Sequence, residues 1–229
     1  MLFDLRSRGR RHTVRVIYLF LALVMVAGLV LVGVGTGSNQ GGLLNAFTNN
    51  GSGGGGSQMA DQALHQAIKA TKKDPNSATN WANLLQARWS AAGSGSNYNS
   101  NTGAYSASGK QQLRLGAVAW QRYLKVTGDQ PQVDNAILAA GIYQRLEQWA
   151  DAAVAWNYAA QAASGPDKLK PYLCLSLSSY AAGQKSKGDL AAAQALKLTP
   201  KLRRLTLQST FTSAKSSTTT AQQALVTTC

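Results

Sequence analysis

Residues 133–166 read VDNAILAAGIYQRLEQWADAAVAWNYAAQAASGP. Small residues dominate this stretch, and their spacing is helical. Ala136, Ala139, Ala140 and Tyr143 fall at i, i+3, i+4 and i+7, which sets them on one face of a helix. Beyond a short polar turn, Ala152, Trp156 and Ala159 occupy offsets 0, 4 and 7 of a second helix. Ser164 and Pro166 follow it, and proline stops a helix because it lacks the amide donor. The stretch therefore predicts two helices whose facing side chains are small enough for close approach.

The same offsets recur along the chain. Ala63, Ala67, Ala70 and Pro75 lie at 0, 4, 7 and 12. Ala119, Tyr123, Val126 and Pro131 repeat them, as do Gly188, Ala192, Ala195 and Pro200. Further helices precede the last three second helices. Trp81, Leu84 and Leu85 mark the first, the alanines from Ala136 the next, and Tyr172, Leu175 and Ser176 the third.

The pattern W-x-x-L-G-x-x-Y, then A-x-x-x-F-x-x-A, then P, resembles the tetratricopeptide repeat. Unit 133–166 fits it in register, and unit 169–200 fits with Tyr172, Leu175, Ser176, Gly188, Ala192, Ala195 and Pro200. Unit 78–131 departs from it. Leu85 replaces a small residue, Arg88 stands where Tyr is expected, and a long loop, 93–109, rich in Gly, Ser and Asn, interrupts the pair and is expected to be disordered. The resemblance covers about 60–214 and implies an all-α fold, an α-solenoid of about three helix pairs plus flanking helices. One pair cannot bury its apolar face alone; Tyr123, Tyr143, Trp156 and Tyr172 are expected to fill the gaps between neighbours. The helical domain is expected over 58–214, with half a unit at 59–74 and a final helix near 201–214 that Lys201, Arg203 and Arg204 make a polar cap for the array. Segment 215–229, Ser/Thr-rich with Lys215 its single charge, is expected to be a disordered tail.

Ahead of the helices lies a different kind of sequence. Val16–Val34 contains 19 residues and no charge, long enough to span roughly 28 Å of hydrocarbon. Arg6, Arg8, Arg10, Arg11 and Arg15 precede it, and Gly35–Ser57 carries no charge. By the positive-inside rule, 1–15 is a basic cytoplasmic tail, 16–34 a transmembrane helix, and the remainder lies outside the cytoplasm. The apolar run is longer than a signal-peptide core and lacks a clear A-x-A site, so an uncleaved anchor is expected. Segment 35–57, rich in Gly, Ser and Asn, reads as a flexible linker.

Composition agrees with one anchored helical domain. Of 229 residues 45% are hydrophobic and only 14% charged, with 23 Lys and Arg against 9 Asp and Glu. That balance excludes a collagen, a disulfide scaffold, an acidic disordered chain and a polytopic membrane protein. Beyond residue 15 there are 18 basic and 8 acidic residues, a charge suited to anionic headgroups, envelope polymers or acidic partners.

Catalytic chemistry is missing from the sequence, and no enzyme activity and no cofactor are expected. His65 reads as a solvated surface residue, and no His/Cys cluster has metal spacing. Asn97, Asn99 and Asn101 alternate as calcium ligands do, but without carboxylates. Most acidic residues stand at helix starts or turns, where capping explains them. Cys174, between Leu173 and Leu175, reads as core. A Cys174–Cys229 bridge and a bridge between chains through Cys229 both remain open.

In the tetratricopeptide family the first helices of each pair line a concave groove that binds a peptide or protein. Carried onto this register, the groove positions are Thr79, Ala82, Gln86 and Trp89, then Ile137, Gly141 and Gln144, then Lys170, Leu173, Leu177 and Tyr180. Trp89 and Tyr180 are the aromatic anchor candidates. Ala82 and Gln86 replace the Lys and Asn of the family's carboxylate clamp. The expected function is a membrane-anchored, extracytoplasmic scaffold or adaptor for an envelope protein, possessing no nucleic-acid partner and an oligomeric state left open. The alternatives are a secreted or wall-associated module holding an anionic polymer, and a non-catalytic subunit of a membrane enzyme.

Overall fold

The computed structural model describes residues 55–229. The arginines Arg6, Arg8, Arg10, Arg11 and Arg15, the apolar run 16–34 and most of the linker 35–57 lie outside the described residues. Among the described residues no helix is long and apolar enough to cross a membrane.

The described chain is all-helical apart from one two-stranded hairpin. Its nine α-helices are α1 (Gly55–Lys73), α2 (Ala78–Ala92), α3 (Ala107–Thr127), α4 (Val133–Arg145) and α5 (Trp149–Ala162), then α6 (Leu169–Ala181), α7 (Lys185–Leu198), α8 (Lys201–Ser216) and α9 (Thr218–Thr228). Serine hydroxyls cap three of them. The Oγ atoms of Ser77, Ser106 and Ser217 accept from the amides of Asn80, Gly109 and Thr220, satisfying donors that a helix start leaves free.

Helices pack in sequence order: α1 on α2, α2 on α3, α4 on α5, α5 on α6 and α6 on α7. The α1–α2 corner is tied by Asn80 Nδ2 donating to the Ala70 carbonyl at 3.1 Å and Trp81 Nε1 donating to the Pro75 carbonyl at 2.7 Å. The spacing read in 133–166 is realised in the core. Ala136, Ala139, Ala140, Ala152, Ala155 and Ala159 have no exposed surface, and Trp120 and Trp156 are buried among them. Alanine contributes little area per residue, so these two indoles supply much of the apolar burial.

A repeat is visible in the backbone as well as in the side chains. The α4–α5 turn, Leu146-Glu147-Gln148, and the α6–α7 turn, Ala182-Gly183-Gln184, are 36 residues apart and share one hydrogen-bond pattern. The Gln148 amide donates to the Tyr143 carbonyl at 2.9 Å, and the Gln184 amide to the Ser179 carbonyl at 2.8 Å. Both middle residues are left-handed, Glu147 at φ 58° and Gly183 at φ 73°. This is the six-to-one closure that ends many helices. Glu147 adopts it without glycine's freedom, which costs roughly 1–2 kcal/mol and shows how strongly the flanking helices hold the turn.

Two expectations need correction. Segment 93–109 is folded rather than disordered. It forms a 3-10 turn at Gly95–Asn97 and a hairpin, β1 (Tyr98–Asn99) on β2 (Ala104–Tyr105), before α3 begins at Ala107. Its asparagines explain the order: Asn97 Nδ2 donates to the Ala91 carbonyl at 2.8 Å, and Asn99 Oδ1 accepts from the amides of Asn101 and Thr102. Two of the three asparagines that alternate like calcium ligands, Asn97 and Asn99, thus close turns with their side chains. At Gly109 a Cβ would stand 2.2 Å from the Asn97 carbonyl oxygen, so only glycine lets the loop seat on α3.

The second correction concerns the tail. Residues 218–228 form α9, which packs on α6 and α8. Ala221, Ala224 and Leu225 make its apolar stripe, and Ala221 and Leu225 are buried with Leu177, Phe211 and Ala214 in a second core cluster.

Candidate binding face

The face that the repeat register assigns to a groove runs over α2, α4 and α6. Its three sections differ. On α2, Thr79 is exposed in the first turn, and Gln86 and Trp89 are half-buried. The Trp89 indole lies against α4, where a Cβ on Gly141 would be 3.6 Å from its ring, ordinary contact. On α4, Ile137 is half-buried and Gln144 is buried, with Nε2 lacking a hydrogen-bond partner. An amide donor left so is costly unless something accepts from it.

Between α4 and α6 lies an open cleft of about 770 Å³. Ile137, Lys170, Leu173, Pro171 and Val133 line it, and Thr228 of α9 closes one side. Ile137, Lys170 and Leu173 were assigned to the groove from register alone, and the structure brings all three to this cleft.

On α6 the expectation of an accessible anchor fails. Leu177 has no exposed surface and Tyr180 is 3% exposed. Tyr180 packs over Gly188 at the start of α7, where a Cβ would come within 2.3 Å of the ring, so the close approach of α6 and α7 demands glycine there. One turn back, Ser176 Oγ donates to the Gly188 carbonyl at 3.0 Å. The phenol donates to Asp189 Oδ1 at 2.9 Å, and Asp189 Oδ2 holds Lys215 Nζ of α8 at 2.8 Å. Tyr180 is therefore a structural strut across α6, α7 and α8.

Burial, and next the hydrogen bond to Asp189, push the Tyr180 hydroxyl up to about 12. The folded state keeps the phenol protonated where the unfolded chain, with tyrosine near about 10, has lost it. Stability from this strut is fully present below about pH 10 and is lost as the pH rises toward about 12. A tyrosinate absorbance titration is expected to show a phase near pH 12 that Tyr180→Phe removes. Loss of every tyrosine proton near pH 10 in the folded protein contradicts the strut.

What covers the α6 section is the chain itself. α9 lies on α6, and Cys229 at its end is bonded to Cys174, with Cα atoms 5.8 Å apart. The bridge is thus within the chain, and both cysteines are consumed. Sequence reading missed α9 as part of this face. Its signals were the i, i+3, i+4 stripe Ala221, Ala224 and Leu225, and a cysteine able to reach Cys174.

Elsewhere, Arg88 fills the place where the repeat expects Tyr. Nη1 donates to Gln112 Oε1 at 2.6 Å, and burial lowers its pKa. His65 is exposed on α1. Among the described residues no three His, Cys, Asp or Glu side chains gather as a metal site. No family model, curated protein or solved structure matches the chain.

Proposed function

We propose that this chain is a membrane-anchored, extracytoplasmic scaffold of the tetratricopeptide type, whose α2 and α4 face holds a helical segment of an envelope protein. The observation that carries the reading is the seating of α9. An amphipathic helix of this chain already lies on the α6 section, at positions that the register assigns to ligand contact. The neighbouring sections offer the same kind of surface: half-buried Trp89, Gln86 and Ile137, and the cleft beside Lys170. Helix-in-groove recognition needs such apolar anchors beside a few polar groups.

Two further features support the placement. The apolar run 16–34, after five arginines, supplies the anchor. A disulfide persists in an oxidising compartment, which suits a domain outside the cytoplasm. The recurrence of one turn geometry at a 36-residue interval supports the repeat type.

The reading is tested by photo-crosslinking in native membranes. A photoreactive residue in place of Trp89 or Ile137 is expected to capture one and the same envelope protein, and one in place of exposed Val118 on α3 to capture none. Identical capture from all three positions, or capture of lipid alone at Trp89 and Ile137, contradicts a binding face.

A further inference from the structure

The corner where α7 passes into α8 carries an unusual surface. Leu202 is 98% exposed and Leu205 81%, one helical turn apart on α8, and Leu198 at the end of α7 is 39% exposed. Basic residues surround these leucines: Lys197, Lys201 and Arg203 are exposed, and Arg204 reaches back to the Thr199 carbonyl at 2.9 Å. No Asp or Glu occurs anywhere from residue 190 to the C-terminus. Lys215 is spent on Asp189, so the unopposed positive charge gathers at this corner.

We infer that this corner docks on an anionic lipid surface. Side chains exposed to this degree protrude; they line no concavity that a protein ligand would fill. Protruding leucines ringed by Lys and Arg match a bilayer interface in depth. The leucines enter the boundary between headgroups and acyl chains, and the cations stay among the phosphates. Charge decides for an anionic surface, since every charged side chain that the segment from residue 190 onward brings to the corner is basic. Docking holds the helical unit at a fixed inclination to the membrane. The inference rests on the anchoring proposed above for its supply of lipid, but it uses residues that the binding face does not.

The test uses the full chain with Leu202→Cys bearing an environment-sensitive fluorophore, which is selective because both native cysteines are in the disulfide. Leu190→Cys is the control, 72% exposed but next to Asp189. Each labelled protein is mixed with vesicles of phosphatidylcholine alone, or with phosphatidylglycerol added, containing brominated acyl chains. The expected result is quenching at position 202 in the anionic vesicles, little in the neutral ones, and none at position 190. Arg203→Gln is expected to weaken docking about fivefold, the effect of one basic residue near such a surface. Equal quenching at both positions, no dependence on phosphatidylglycerol, or a change that tracks protein concentration without lipid overturns the inference, the last in favour of a second copy. Flotation with neutral vesicles reports the anchor separately. A chain that fails to float with them loses the anchoring reading, while quenching at position 202 in anionic vesicles still reports docking.

Discussion

Cys229→Ser is expected to destabilise the helical unit by about 4 kcal/mol and to free α9 from α6. The bond joins residues 55 apart, and closing a loop of that length in the unfolded chain accounts for roughly this amount. The helix has little else to hold it. It is 11 residues long, short for independent helicity, and five of those residues are threonine, a poor helix former. Only Ala221 and Leu225 are buried on its apolar stripe. Denaturant unfolding of the oxidised protein and the variant measures the loss. Hydrogen exchange locates it, with amides of 218–228 losing protection and those of α4 and α5 keeping it. An unchanged unfolding midpoint, or protection retained in α9, contradicts a helix held by its bond.

Trp156→Ala is expected to cost about 3–5 kcal/mol, the usual range for emptying a buried indole site. Trp156 is 1% exposed, and alanine, too short to lean in and fill a void, is the commonest residue of the core cluster it belongs to. Trp156→Phe separates volume from polarity. The indole Nε1 is buried without a hydrogen-bond partner, so phenylalanine removes an unsatisfied donor while keeping most of the apolar area. The phenylalanine variant is therefore expected to lose much less stability than the alanine variant. Comparable losses in denaturant unfolding mean that the Nε1 hydrogen is satisfied in solution.

Much of the helical core was legible because alanine spacing is a direct record of helix contact. Ala136, Ala139, Ala140, Ala152 and Ala159 were read as one packed set and are buried as one. Tyr180 was misread for a physical reason. Register gives the direction of a side chain, but the missing Cβ at Gly188 lets the ring drop onto α7, where Asp189 accepts the hydrogen bond of its hydroxyl. The 93–109 loop was misread because its composition, rich in Gly, Ser and Asn, is that of a linker. Its order comes from side-chain hydrogen bonds at Asn97 and Asn99, which composition does not record. The tail was misread for a similar reason, since threonine content outweighed a short apolar stripe whose partner lies on α6. Leu202 and Leu205, read within a polar capping helix, are instead bare apolar surface.

The central claim is that one face runs across α2, α4 and α6 and that α9 fills its last section. The most direct measurement places a photoreactive residue at Leu173, half-buried beside the cleft, in the full chain with the disulfide intact and again with Cys229→Ser. With the bond intact, the expected product is a crosslink within the chain, to 218–229. With Cys229→Ser, that product is expected to give way to the same envelope protein captured from Trp89. Capture of an external protein at Leu173 while the bond is intact, or no gain of that protein when α9 is released, contradicts the claim.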